Sequence, residues 1–145
     1  MMNKKLIFNI FLILIFISII IIFIFLNKNP KLELGVLAVF PKEIDGGSCE
    51  FFWNEKDNAN KKYAFVNDMA LYGYIFVNGK LEKLEMERNK IENEFDYFNE
   101  KYELHIEITN TKLDSYENAY MEGILSIVDK NNINITHNII GYCSY

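Results

Sequence analysis

Tyr102-Glu103-Leu104-His105-Ile106-Glu107-Ile108-Thr109 alternates apolar and polar side chains without a break. Side chains of an extended chain point alternately to opposite faces, so Tyr102, Leu104, Ile106 and Ile108 share a dry face and the other four a wet one. A strand covered on one side only belongs to antiparallel sheet. Ile133, Ile135, His137 and Ile139 repeat the pattern against Asn134, Thr136 and Asn138, and residues 119–128 form a mixed, strand-like run.

Earlier in the chain, Asn78-Gly79 separates residues 71–77 from residues 80–87. That dipeptide readily takes the two positive φ angles of a type I′ turn, so a hairpin is expected. A strict two-residue turn sets Phe76 opposite Leu81 and sends Leu84 and Met86 to the other face, which predicts a bulge near Glu82 or Lys83. Two further strands are expected at residues 33–40 and 48–53. Residues 54–62 are polar and read as a mobile loop. Ile91, Phe95 and Phe98 recur at helical spacing, so a short amphipathic helix is expected between residues 89 and 100. The fold class is therefore all-β, a small antiparallel sandwich or barrel of about seven strands.

Ahead of this domain, residues 6–26 contain only Leu, Ile and Phe apart from Asn9 and Ser18. A helix of that length rises roughly 32 Å at about 1.5 Å per residue, matching a hydrocarbon core about 30 Å thick. Leu, Ile and Phe contribute about −0.3 to −0.6 kcal/mol each to insertion, far more in sum than a penalty of about 3 kcal/mol at Asn9. The run is longer than a signal-peptide core and lacks small residues after it, so it is expected to be retained. The organisation read from the sequence is a cytoplasmic start (1–5), a transmembrane helix (6–26), a linker (27–31) and an extracytoplasmic β domain (32–145). Lys4 and Lys5 before the span are nearly balanced by Lys28 and Lys31 after it. The signal-anchor arrangement therefore sets the expected orientation, with the N-terminus cytoplasmic and the domain periplasmic or extracellular.

From Leu32 onward there are 20 acidic and 11 basic residues, a net charge of −9 against −5 for the whole chain, because Lys4, Lys5, Lys28 and Lys31 all precede the domain. Such a surface repels phosphate backbones, so nucleic acid is not an expected partner. Apart from the lipid bilayer around residues 6–26, the expected partner is an envelope protein or glycan, and the charge favours a basic one. Cys49 and Cys143 stand near the two ends of the domain. In an oxidising compartment a bond between them closes a long loop, worth up to about 4 kcal/mol in the chain-entropy model.

Candidates for chemistry are few. Glu103, His105 and Glu107 share one strand face at about 6.8 Å intervals, the arrangement of a weak metal site or of a general base flanked by carboxylates. His137, in phase with three isoleucines, reads as a buried histidine. No nucleophile elbow, zinc-protease helix, phosphate loop or EF-hand ladder is present, and no cofactor is expected. Trp53, Tyr72 and Tyr74 are candidates for an aromatic contact patch.

Gly47-Ser48-Cys49, the run from Leu71 to Lys80, Gly123 within a strand, and Gly141-Tyr142-Cys143 together resemble small exported, membrane-anchored bacterial β-domain proteins of unknown function. The resemblance implies an envelope β domain and carries no catalytic residues; members often have paired cysteines at each end where this chain has one. In size, acidity and cysteine placement the chain is also similar to lysozyme-inhibitor barrels of the bacterial envelope, which implies contact with a basic hydrolase. The expected function is thus a non-enzymatic, anchored protein- or ligand-binding domain. The alternative is a metal-binding or hydrolytic site around Glu103, His105 and Glu107, with His137 as a further candidate.

Overall fold

A computed structural model of the chain describes residues 4–26, 31–87, 93–113 and 118–144, with helix side chains described over residues 8–22. The linker 27–30, the first three residues, Ile91, Tyr116 and Tyr145 lie outside the described residues. The chain divides into two units, Met1–Lys31 and Leu32–Tyr145.

The first unit is the helix α1 (Lys4–Leu26). Its described side chains are exposed on every side, from Ile15 at 40% to Phe16 at 67%. Among the described residues no helix is long and apolar enough to cross a membrane. The transmembrane expectation over residues 6–26 is therefore met by a helix and not by a demonstrated span.

The second unit is an eight-stranded antiparallel barrel, with β1 (Ser48–Phe52), β2 (Phe65–Asn67), β3 (Tyr72–Val77), β4 (Lys80–Glu87), β5 (Glu94–Phe98), β6 (Tyr102–Leu113), β7 (Asn118–Asp129) and β8 (Asn134–Ser144). Each strand pairs with the next, and β1 pairs with β8 to close the sheet. Closure selects the barrel over the sandwich. Of the expected strands, residues 33–40 form only isolated bridges, Leu34 to Val77 and Leu37 to Tyr63. This segment hydrogen-bonds to two different strand ends, through Gly35 N to Phe76 O and Leu37 N to Tyr63 O, so it is a strap across the sheet and not a ninth strand. In its place stand the three-residue β2 and β5, which replaces the amphipathic helix expected there. Phe95 and Tyr97 of β5 pair with Ile106 and Leu104 on the dry face of β6, and that pairing overrides the helical spacing of three apolar residues.

The lumen is filled by side chains. Phe51, Phe65, Ile75, Leu84, Tyr97, Leu104, Ile106, Leu125, Ile127 and Ile139 are all 2% exposed or less, each contributing about 1.5–3 kcal/mol of hydrophobic stabilisation. Rings of this size fit because glycines face them: Gly73 lies against the Phe65 ring and Gly141 against Phe51, where a Cβ has no room. A second cluster, Leu37, Phe52, Tyr63, Val66 and Tyr74, lies on the outside of β1–β3 beneath the strap. Both faces of these strands are buried, which is why Phe51-Phe52 and Ala64-Phe65-Val66 are continuously apolar in sequence.

The β3–β4 turn is the tight one, with Asn78 and Gly79 at φ +50° and +77° and Phe76 opposite Leu81. No bulge occurs near Glu82 or Lys83. Phe76 points outward beneath Gly35 of the strap, while Glu82 points inward with Leu84 and is only 8% exposed. The Lys101 ammonium, 2.7 and 3.0 Å from the two Glu82 oxygens, neutralises that inward charge, and the hydrogen bond raises the Lys101 pKa. The register shift falls instead between Ile108 and Asn110 on β6. Residues 54–62 are also more ordered than a loop, since they include the helix α2 (Glu55–Ala59), N-capped by Asn54, whose side-chain oxygen accepts from Asp57 N at 3.0 Å.

Other turns are held by single carboxylates. Asp68 Oδ1 accepts from the backbone N–H groups of Ala70, Leu71 and Tyr72 at 2.8–2.9 Å. Burial pushes the Asp68 carboxyl up, but these three hydrogen bonds outweigh it and hold the group below the usual carboxylate range. Asp129 does the same for the β7–β8 turn, its carboxyl lowered chiefly by the bond from Ile133 N.

Cys49 and Cys143 face each other across the β1–β8 seam with Cα atoms 4.0 Å apart and form a disulfide. Reducing it, or replacing both residues by Ser, is expected to cost about 2–5 kcal/mol in chemical denaturation and to speed amide exchange in β1 and β8 before the rest of the barrel. Within the lumen the Tyr97 hydroxyl is buried beside the Asn67 side chain without a hydrogen bond of good geometry, and burial raises its pKa. Tyr97→Phe should accordingly stabilise the domain by up to about 1 kcal/mol, measured by denaturant titration at neutral pH, because it removes a poorly paired buried polar group and leaves the ring in place.

Candidate functional site

Beyond the strap, the outer face of β4–β7 is open to solvent, and here the alternation of the sequence is clean. Its outward side chains include Lys83, Glu85 and Glu87 from β4, Glu94, Asp96 and Phe98 from β5, Glu103, His105 and Glu107 from β6, and Ile124, Ser126 and Val128 from β7. Glu87, Asp96, Phe98, Glu103, His105 and Ser126 contribute to a groove of about 460 Å³.

Across this face the register sets groups in rows. One row runs Glu87, Asp96, His105, Ser126, Thr136 over five strands. Within it, Asp96 Oδ1 lies 2.6 Å from His105 Nδ1 and the Ser126 and Thr136 hydroxyls lie 3.0 Å apart. A neighbouring row sets Glu94 directly opposite Glu107. Glu87 opposes Asp96 and Glu94 opposes Glu107 on one sheet face; the Asp96 carboxylate meets His105, while the opposition of Glu94 and Glu107 costs stability.

Glu103, His105 and Glu107 do share one outward face, as the alternation predicts. Even so, among the described residues no three His, Cys, Asp or Glu side chains come together closely enough to hold a metal ion. Neighbours on one strand face are about 6.8 Å apart, whereas directly opposed residues on adjacent strands have Cβ atoms about 4.5–5.5 Å apart. His105 therefore takes its carboxylate partner from β5, and Asp96 was hidden from sequence reasoning by the helical spacing of Phe95 and Phe98. The outward phase of Glu94, Asp96 and Phe98 was the signal that pointed to it.

His137 is exposed, not buried. It lies on β8 beyond Ile140, where the pairing with β1 ends, and its ring packs 5.2 Å from that of Trp53. Of the aromatic candidates, Tyr72 and Tyr74 share the Lys83 ammonium, 3.6 and 5.8 Å from their ring centres, while Trp53 packs against His137. Trp53 is half-buried and donates its indole N–H to Gly35 O at 3.0 Å, securing the strap. Tyr74 is 4% exposed in the outer cluster, and Tyr72 lies under the Lys83 ammonium, 3.6 Å from its ring centre. The aromatic side chain that is open on the acidic face is Phe98, 43% exposed.

Relieving one of the like-charged pairs should raise stability: Glu94→Gln is expected to gain about 0.2–1 kcal/mol at low salt, with the gain shrinking in 1 M salt, as read by thermal melts at both ionic strengths.

No family model, curated protein or solved structure matches this chain.

Proposed function

We propose that this chain is a single-pass, membrane-anchored envelope protein whose barrel docks a cationic protein on the outer face of β4–β6. The observation that carries this reading is the density of carboxylates on one sheet face, with Glu94 directly opposite Glu107 and an exposed Phe98 standing between Glu85 and Glu103. Opposed carboxylates weaken a sheet, and a positively charged partner relieves the repulsion on binding. Phe98 offers the apolar anchor that such an interface needs. The lumen is occupied by rings and aliphatic side chains, which favours recognition on the outside of the barrel over enclosure of a ligand within it.

Anchoring is supported by the Leu, Ile and Phe run of residues 6–26, which lipid solvates and water does not. A disulfide between Cys49 and Cys143 supports an oxidising, extracytoplasmic side for the domain. A basic cell-wall hydrolase fits the charge, and lysozyme is the matching probe.

The test uses the full chain in detergent micelles or nanodiscs. Immobilised protein should retain lysozyme and polylysine but not serum albumin, and the affinity should fall steeply between 50 and 500 mM salt. Charge reversal by Glu94→Lys together with Glu107→Lys should weaken lysozyme binding by about tenfold or more. Retention of neither cationic probe, or binding unchanged by the charge reversal, would reject the docking face. Extraction of the full chain from cells by alkaline carbonate alone would reject the anchor.

A further inference from the structure

Phe98 stands as a ridge between two grooves on the open face. The register sets Tyr72, Glu85, Phe98, Glu103 and Val128 in one outward row across β3 to β7, so the exposed ring has a carboxylate residue directly opposite it on either side. One groove, of about 460 Å³, includes Phe98, Glu103 and Val128; the other, of about 560 Å³, includes Tyr72, Glu85 and Phe98. Their charges differ. The Lys83 ammonium lies 3.6 Å from the Tyr72 ring centre, so the second groove already holds a cation beside Glu85. No lysine or arginine is among the described residues that line the first. Lys101, two residues before Glu103, turns inward to Glu82, and among the described residues Glu103 enters no ion pair.

Residues directly opposed on adjacent strands have Cβ atoms about 4.5–5.5 Å apart, so a group bound to the Glu103 carboxylate lies against the Phe98 ring. Strands spaced about 4.8 Å apart put Phe98 and Val128 about 10 Å from each other, a slot as wide as one side chain with Glu103 between its walls. A guanidinium suits such a slot. It is planar, donates two parallel N–H bonds to a carboxylate and stacks its weakly hydrated face on an aromatic ring. An ammonium is a compact, strongly hydrated point charge that gains less from the ring. We propose that the slot between Phe98 and Val128 binds an arginine side chain of the docked partner, its guanidinium on Glu103 and against Phe98 and its stem along Val128. This rests on the docking reading above and narrows the partner from a cationic protein to one that presents arginine.

The full chain in non-ionic detergent, titrated in 50 mM salt with fluorescein-labelled hexaarginine and hexalysine, should bind hexaarginine about three- to tenfold more tightly by anisotropy. Phe98→Leu should remove most of that preference by weakening hexaarginine binding, with hexalysine binding changed by less than about twofold. Glu103→Gln should weaken hexaarginine binding by about threefold or more, and Glu85→Gln, in the groove that already holds Lys83, by less than about twofold. Near-ultraviolet circular dichroism checks that these outward-facing variants are folded. A test that needs no variant uses the same hexamer built from asymmetric dimethylarginine, which keeps its charge but loses the two-bond fork and should bind no better than hexalysine. Equal affinity for hexaarginine and hexalysine, a preference unchanged in Phe98→Leu, full affinity for the methylated peptide, or an effect of Glu85→Gln as large as that of Glu103→Gln would each overturn the arginine slot and leave the docking face standing. Binding of neither cationic peptide would overturn both.

Discussion

Closure of the sheet at the β1–β8 seam is the constraint on which the rest of the domain depends. β2 has three residues and β1 and β5 have five each, too few to hold a sheet with free edges. Pairing the first strand with the last removes both edges and gives every strand two neighbours. The Cys49–Cys143 disulfide lies in that seam, spanning 94 residues of chain, so it ties together the two segments whose meeting costs the most chain entropy. Closure also defines a lumen of limited volume. That limit explains why Phe65 and Phe51 face glycines across the sheet and why Tyr97 is accommodated at the expense of a poorly paired hydroxyl.

A closed barrel still has an outside, and here the outside is divided. On β1–β3 the strap covers an apolar cluster and is secured by Trp53. On β4–β6 nothing among the described residues covers the sheet, and the outward positions carry mostly carboxylates. The two halves therefore answer to different pressures, the first to packing and the second to solvent and partners. Tyr74 belongs to the first half, which is why it is buried although its polar tip suits a contact surface.

On the open half, distances across strands matter more than distances along them. Glu103, His105 and Glu107 are neighbours in sequence phase, yet the His105 imidazole meets Asp96 from the adjacent strand. Where carboxylates oppose one another without such a partner, as Glu94 and Glu107 do across β5–β6, the sheet loses stability. The same register sets Ser126 opposite His105 and Thr136 opposite Ser126, so one row of polar side chains crosses β5 to β8.

Much of this was legible in the residues themselves. The alternation in 102–109 specified β6 and its two faces, Asn78-Gly79 specified the hairpin, and the contrast between the lipid-like run of 6–26 and the acidic remainder specified a helix followed by a separate domain. These are local properties, set by the period of side-chain direction and by the φ angles a residue tolerates. What the tertiary structure alone decided is which strands meet. Residues 33–40 have strand composition but no unoccupied ladder to join; Phe95 and Phe98 have helical spacing, but β6 offered β5 a pairing edge; Glu82 reads as a wet position yet turns inward to Lys101. Each of these outcomes depends on a partner distant in sequence, and the hydrogen bonds and burial that the partner supplies outweigh a local preference of a few tenths of a kcal/mol per residue. For the same reason His105 could be named from the sequence as a candidate, while Asp96, brought within hydrogen-bond distance of it by register, could not.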